Sequence, residues 1–168
     1  MKIRYAAILF LVAFILQTSI LNIFTIWGIT PNLILCLVAI LSFLYVDSWA
    51  FAFGIVFGLM WDMCNSQFIG VSAFAYLMVS LVVAALRESI NKEHRVSALI
   101  VSVVATLIYN GVYYIISTGF GSNYSFLYWL KLQPGYILYN SVIIFILYMI
   151  FIKKVVRFRN DRYLISKR

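Results

Sequence analysis

The chain has 168 residues, of which 65% are hydrophobic and only 11% charged, against about 25% charged in a soluble domain. At a mean hydropathy of +1.02 its solvent is lipid, and its continuous apolar runs lack the alternating polar lumen face of a transmembrane β-barrel, so the spans are helices that satisfy their own backbone hydrogen bonds. The formal charge of +8 comes without a platform of interleaved aromatic and basic residues, which argues against nucleic acid as a partner.

In chain order, the first apolar segment covers residues 5 to about 26, behind Lys2 and Arg4. It lacks a small-x-small cleavage site and other spans follow it, so it reads as a retained helix rather than a signal peptide. The second segment, 32–46, is entered through Pro31, a residue suited to a first helical turn. The third begins at Trp49 and reaches Asp62 or a few residues beyond. Both fall short of the ~20 residues that cross a bilayer core, so they either extend into their loops or form a re-entrant hairpin. Segments four to six are expected over 70–86, 96–118 and 135–152. Between the last two, the loop 119–133 carries Tyr124, Phe126, Tyr128 and Trp129, side chains that favour a membrane interface.

The expected fold is therefore all-α: a polytopic membrane bundle of about six helices over 1–152, then a basic cytoplasmic tail over 153–168. With both termini cytoplasmic, twelve of the 13 Lys and Arg residues lie inside and only Lys131 outside, a strong positive-inside bias. The tail mixes its charges with Val155, Val156, Phe158 and Tyr163. It could lie on anionic lipid of the inner leaflet or serve only as a stop signal.

Polar groups inside hydrocarbon are costly and mark candidate sites. Asp62 is the one carboxylate well inside an apolar run, and Gly54, Gly58 and Asp62 recur every fourth residue, on one helix face. Two glycines so spaced permit close helix approach. That face is expected to receive a partner, with Asp62 as hydrogen-bond acceptor; the other reading makes Asp62 an intramolecular cap, or bonds it to the turn Cys64, Asn65, Ser66, Gln67. Gln17, Ala73, Ser80, Ala84, Ser102, Thr106, Asn110, Tyr136 and Asn140 read as a bundle interior. Cys36 and Cys64 have no metal-ligand spacing and read as small packing residues.

No catalytic residue, metal site or cofactor is expected. Gly70-Val71-Ser72-Ala73 imitates a serine-protease motif, but the single histidine, His94, falls in a cytoplasmic loop, so nucleophile and base would be a membrane apart. Asp62 has no second intramembrane carboxylate, and there is no phosphate-binding or dinucleotide-binding glycine motif.

Pro31-Asn32-Leu33, then Phe53-Gly54, then Gly58-Leu59-Met60-Trp61-Asp62, then Gly70 eight residues on, resembles the ordered signature of MreD proteins, with Asn32 where that family usually has Asp. Leu16-Gln17-Thr18-Ser19 is similar too, and the resemblance is closest over residues 10–86. It implies a non-catalytic protein of the bacterial cytoplasmic membrane that binds MreC. Such proteins act with MreB, RodA and a class B penicillin-binding protein in lateral peptidoglycan synthesis and rod shape. It also implies a bundle similar to the S components of energy-coupling factor transporters, which makes a vitamin-binding S component the alternative. Against that alternative, Ala6, Ala7 and Ala13 do not form the A-x-x-x-A docking face, and the outer segments offer few charges to orient a vitamin.

Overall fold

A computed structural model describes residues 3–19, 25, 28–45, 49–66, 68–92, 94–121 and 125–165, with side chains through Ile152. The fold is all-helical: α1 (Ile3–Ser19), α2 (Leu33–Leu44), α3 (Ala50–Asn65), α4 (Val71–Ser89), α5 (Arg95–Gly119) and α6 (Phe126–Ile165). Three helices are long and apolar enough to cross a membrane, namely α4, α5 and the stretch Phe126–Ile152 of α6, while α1, α2 and α3 are shorter and apolar. Most of 20–27, where the first segment was expected to continue, lies outside the described residues, as do Asp47, Ser48, Gln67 and Tyr124.

Helix α2 is the axis of the bundle. Every residue from Ile34 to Leu44 is buried, and the helix touches each of the other five. Apolarity alone does not explain this, because lipid accepts apolar side chains as readily as protein does. Length explains it better. The 12 residues of α2 rise only about 18 Å, less than the ~30 Å hydrocarbon core. Its terminal N–H and C=O groups therefore need partners supplied by protein, since lipid offers none.

Helix α1 turns Ala6, Phe10, Ala13 and Gln17 inward, one stripe at helical spacing, and leaves Tyr5, Ile8, Leu11 and Ile15 exposed. Phe10 stacks on Phe53 and Phe57 with centroids 5.6 and 5.7 Å apart, contacts contributing about 0.5–1.5 kcal/mol each beyond area burial. Against α4, α3 presents its glycines. A Cβ on Gly58 would come within 2.7 Å of Ala73 Cα and 2.9 Å of Tyr76 Cδ2, and one on Gly54 within 3.0 Å of Val38 Cγ2. At Gly58 glycine is required because backbone meets backbone, whereas Gly54 faces the side chains of Val38 and Tyr76.

Helix α6 departs from expectation at its start. The sequence placed a loop over 119–133 and a helix from Gly135, yet the helix begins at Phe126 and runs through Pro134. Proline removes one N–H and so one helical hydrogen bond, but within a membrane bundle neighbouring groups compensate and the helix continues. Trp129 Nε1 donates to Asn110 O at 3.1 Å and Asn110 Nδ2 to Gln133 Oε1 at 2.9 Å, which ties this first part of α6 to α5. At the other end the α6 backbone stays helical past Ile152 to Ile165, with no break where the cytoplasmic tail was expected to begin.

Candidate functional site

Two clusters of polar side chains occupy the end of the bundle that bears Asp62, and each completes a helix terminus. The first belongs to α4. Asp62 is fully buried, and its Oδ2 accepts from Gly70 N at 2.9 Å and Ser72 N at 2.8 Å. These are first-turn donors without intrahelical partners, and a carboxylate there also meets the positive end of the helix dipole. Gly70 has φ +98°, while a Cβ on it would meet nothing within 4 Å. What requires glycine at 70 is backbone conformation, not space. The eight-residue interval from Asp62 to Gly70 is thus one device: a turn that folds two amide donors back onto a carboxylate at the end of α3. The other oxygen, Asp62 Oδ1, is buried with no partner among the described residues.

The second cluster belongs to α2. Gln17 Oε1 accepts from Ile34 N at 3.1 Å, Asn32 Oδ1 from Leu35 N at 2.9 Å and from Tyr76 Oη at 3.0 Å, and Asn140 Oδ1 from Asn32 N at 3.1 Å. Asn140 is held in turn by its Nδ2 donating to Thr106 Oγ1 at 3.1 Å. Side chains from α1, α4, α5 and α6 thus converge on the start of α2. Asn32 is its N-cap, a preferred residue for that place, so Pro31 lies just outside the helix instead of in its first turn. The acceptor oxygen that Asn32 uses is one that an Asp would also supply.

Tyrosines link the clusters. Tyr76 stacks on Tyr109 with centroids 4.9 Å apart, Tyr109 Oη lies 3.2 Å from Ser72 Oγ, and Tyr113 Oη lies 3.1 Å from Ser66 Oγ. Beside them is a cavity of about 400 Å³ whose wall includes Gln17, Asn32, Trp61, Tyr109, Asn110 and Trp129.

At the opposite end Arg87, in the last turn of α4, donates to Tyr45 O at 2.9 Å and Ser42 O at 3.3 Å. A cation there satisfies the last carbonyls of α2 and complements its dipole. Nearby, Tyr148 Oη donates to Lys92 O at 2.8 Å, which fastens α6 to the turn between α4 and α5. Burial first, and the Arg87 cation second, lower the pKa of Lys92.

The structure brings Gln17 and Asn32 into one cluster, and Asp62 and Gly70 into the other. Gly54 and Gly58 do share a face with Asp62, but α2 and α4 of the same chain fill it. Phe53 packs against α1, and Leu59 is half-buried outside both clusters. Cys36 is buried with its thiol 3.7 Å from Asn140 O, whereas Cys64 is exposed, not packed. Ser72 pairs with Tyr109, while His94 starts α5 at the Arg87 end. Sequence reasoning missed Tyr76, Tyr109, Tyr113 and the capping role of Arg87. Spacing held a signal for two of them: Tyr76 shares a face with Ala73 and Ser80, and Tyr109 one with Ser102 and Thr106.

A family model for the rod shape-determining protein MreD matches residues 2–158. No curated protein and no solved structure matches the chain. With the match running over nearly its whole length, the chain belongs to the MreD family of rod shape-determining proteins.

Proposed function

We propose that the chain is a non-catalytic, multi-pass scaffold of the bacterial cytoplasmic membrane that binds MreC and supports lateral peptidoglycan synthesis, alongside MreB, RodA and a class B penicillin-binding protein. The family match over residues 2–158 carries this reading. The internal chemistry agrees with it, because the polar groups of α2 and α4 are spent on helix termini, which gives a bundle of fixed shape rather than a reaction centre.

Gly54, Gly58 and Asp62 act on MreC through that shape. They set the α3–α4 pair, and the partner meets the exposed side of α3, where Val56, Met60 and Met63 face outward. The basic tail rests on anionic lipid. Co-purification from membranes tests the reading. Gly58→Leu is expected to lower both thermal stability and MreC recovery, and Met60→Ala with Met63→Ala to lower MreC recovery alone. Full MreC recovery with all these variants would sink the proposal. Saturable vitamin binding without MreC association would decide for the S-component alternative.

A further inference from the structure

Among the described residues, the cavity at the Asp62 end is lined by seven aromatic and five amide side chains and by no Asp, Glu, Lys, Arg or His. Its volume, about 400 Å³, falls within the range of ~300–1,000 Å³ typical of small-molecule sites. Hydrogen bonding leaves specific groups of this wall unused. Gln17 is almost fully buried and spends Oε1 on Ile34 N, which fixes the orientation of its amide. No hydrogen bond among the described residues uses Gln17 Nε2, Asn32 Nδ2 or Asn110 Oδ1. The wall therefore offers amide donors and an amide acceptor beside tyrosine and tryptophan rings, without a charge to match.

That combination selects a class of ligand. An ion entering it would give up part of its hydration with no counter-charge among the described lining residues, which is costly. A purely apolar ligand would leave buried amide groups unpaired. A ring with an apolar C–H face and peripheral hydroxyls meets both demands, stacking on an aromatic side chain while its hydroxyls donate and accept. We infer that this cavity, with Gln17 and Asn32 as donors, Asn110 as acceptor and Trp61 and Trp129 as ring platforms, binds an uncharged sugar ring, either free or as a lipid head group.

Trp61 and Trp129 line the cavity, so tryptophan fluorescence reports occupancy. The full chain, held in a sugar-free amphipol, is titrated with methyl β-D-glucoside, with octyl β-D-glucoside below micelle formation, with octyl tetraethylene glycol and with glucuronate. A saturable change with both glucosides identifies a free sugar as sufficient. A change with octyl glucoside but neither methyl glucoside nor the glycol ether identifies a lipid-borne sugar. Glucuronate is expected to bind at least about tenfold more weakly than the uncharged ring. Gln17→Glu keeps an oxygen for Ile34 N but removes the free donor, and is expected to weaken glucoside binding by about tenfold. Leu132→Phe adds bulk to the cavity wall and is expected to weaken it as well, so the assignment does not depend on the folding of one variant. No saturable change with either glucoside, an equal response to the glycol ether, or undiminished binding by both variants would overturn the inference.

Discussion

Asp62 Oδ2 lies 2.8 Å from the backbone nitrogen of Ser72, ten residues later, and joins the end of α3 to the start of α4. The carboxylate that stands out in the sequence as an intramembrane anomaly is, in the fold, the cap of the neighbouring helix.

Removing that cap isolates its contribution. Asp62→Ala leaves the amides of Gly70 and Ser72 without their acceptor, and each buried unsatisfied donor costs about 1–3 kcal/mol. Asp62→Asn retains an acceptor oxygen and is expected to cost less. Thermal unfolding in detergent, followed by tryptophan fluorescence, is expected to rank wild type above Asp62→Asn and Asp62→Ala lowest.

The glycines separate space from conformation. At Gly58 a methyl would meet the backbone of Ala73 at 2.7 Å, while at Gly54 it would meet only side-chain atoms, of Val38 at 3.0 Å and Tyr76 at 3.3 Å. Gly58→Ala is therefore expected to destabilise more than Gly54→Ala, and Val38→Ala to relieve the Gly54 variant only. Gly70→Ala is expected to cost about 1 kcal/mol or more through its positive φ alone. Melting temperatures of the single and double variants check all three.

Capping of α2 is expected to be distributed. Gln17→Leu leaves the buried Ile34 N–H without its acceptor and Asn140→Leu the part-buried Asn32 N–H, and each is expected to lower stability by about 1–3 kcal/mol. Because both act on one helix end, their double variant should depart from additivity.

Arg87→Met removes the donor to Tyr45 O and Ser42 O. It also removes the cation that helps lower the pKa of Lys92, which is expected to rise toward its ordinary value while burial still holds part of the depression. The pH dependence of Lys92 acylation by a small amine reagent is expected to move to higher pH in this variant. No movement would separate the two side chains.

Much of this fold was legible in the sequence because lipid imposes strict rules. Apolar runs gave helices close to those observed for α3, α4 and α5, and the fourfold spacing of Gly54, Gly58 and Asp62 put them on one face. Sequence could not say what that face meets, since a small-residue face serves a helix of the same chain as well as one of another. The start of α6 was illegible for a related reason. Pro134 and Gly135 read as breakers in water, while Trp129 and Gln133 bonding to α5 supports a continuous helix. Arg87 looked like a topology signal only, because its second role depends on α2 ending beside it.

Amide hydrogen exchange across the turn from Phe68 to Tyr76, compared between wild type and Asp62→Ala in the same detergent, tests the capping role most directly. Gly70 and Ser72 are expected to be protected in wild type and to exchange faster in the variant, while the buried middle of α4 around Val79 and Val83 stays protected. Unchanged exchange at Gly70 and Ser72 would contradict the account and return Asp62 to a role outside its own bundle.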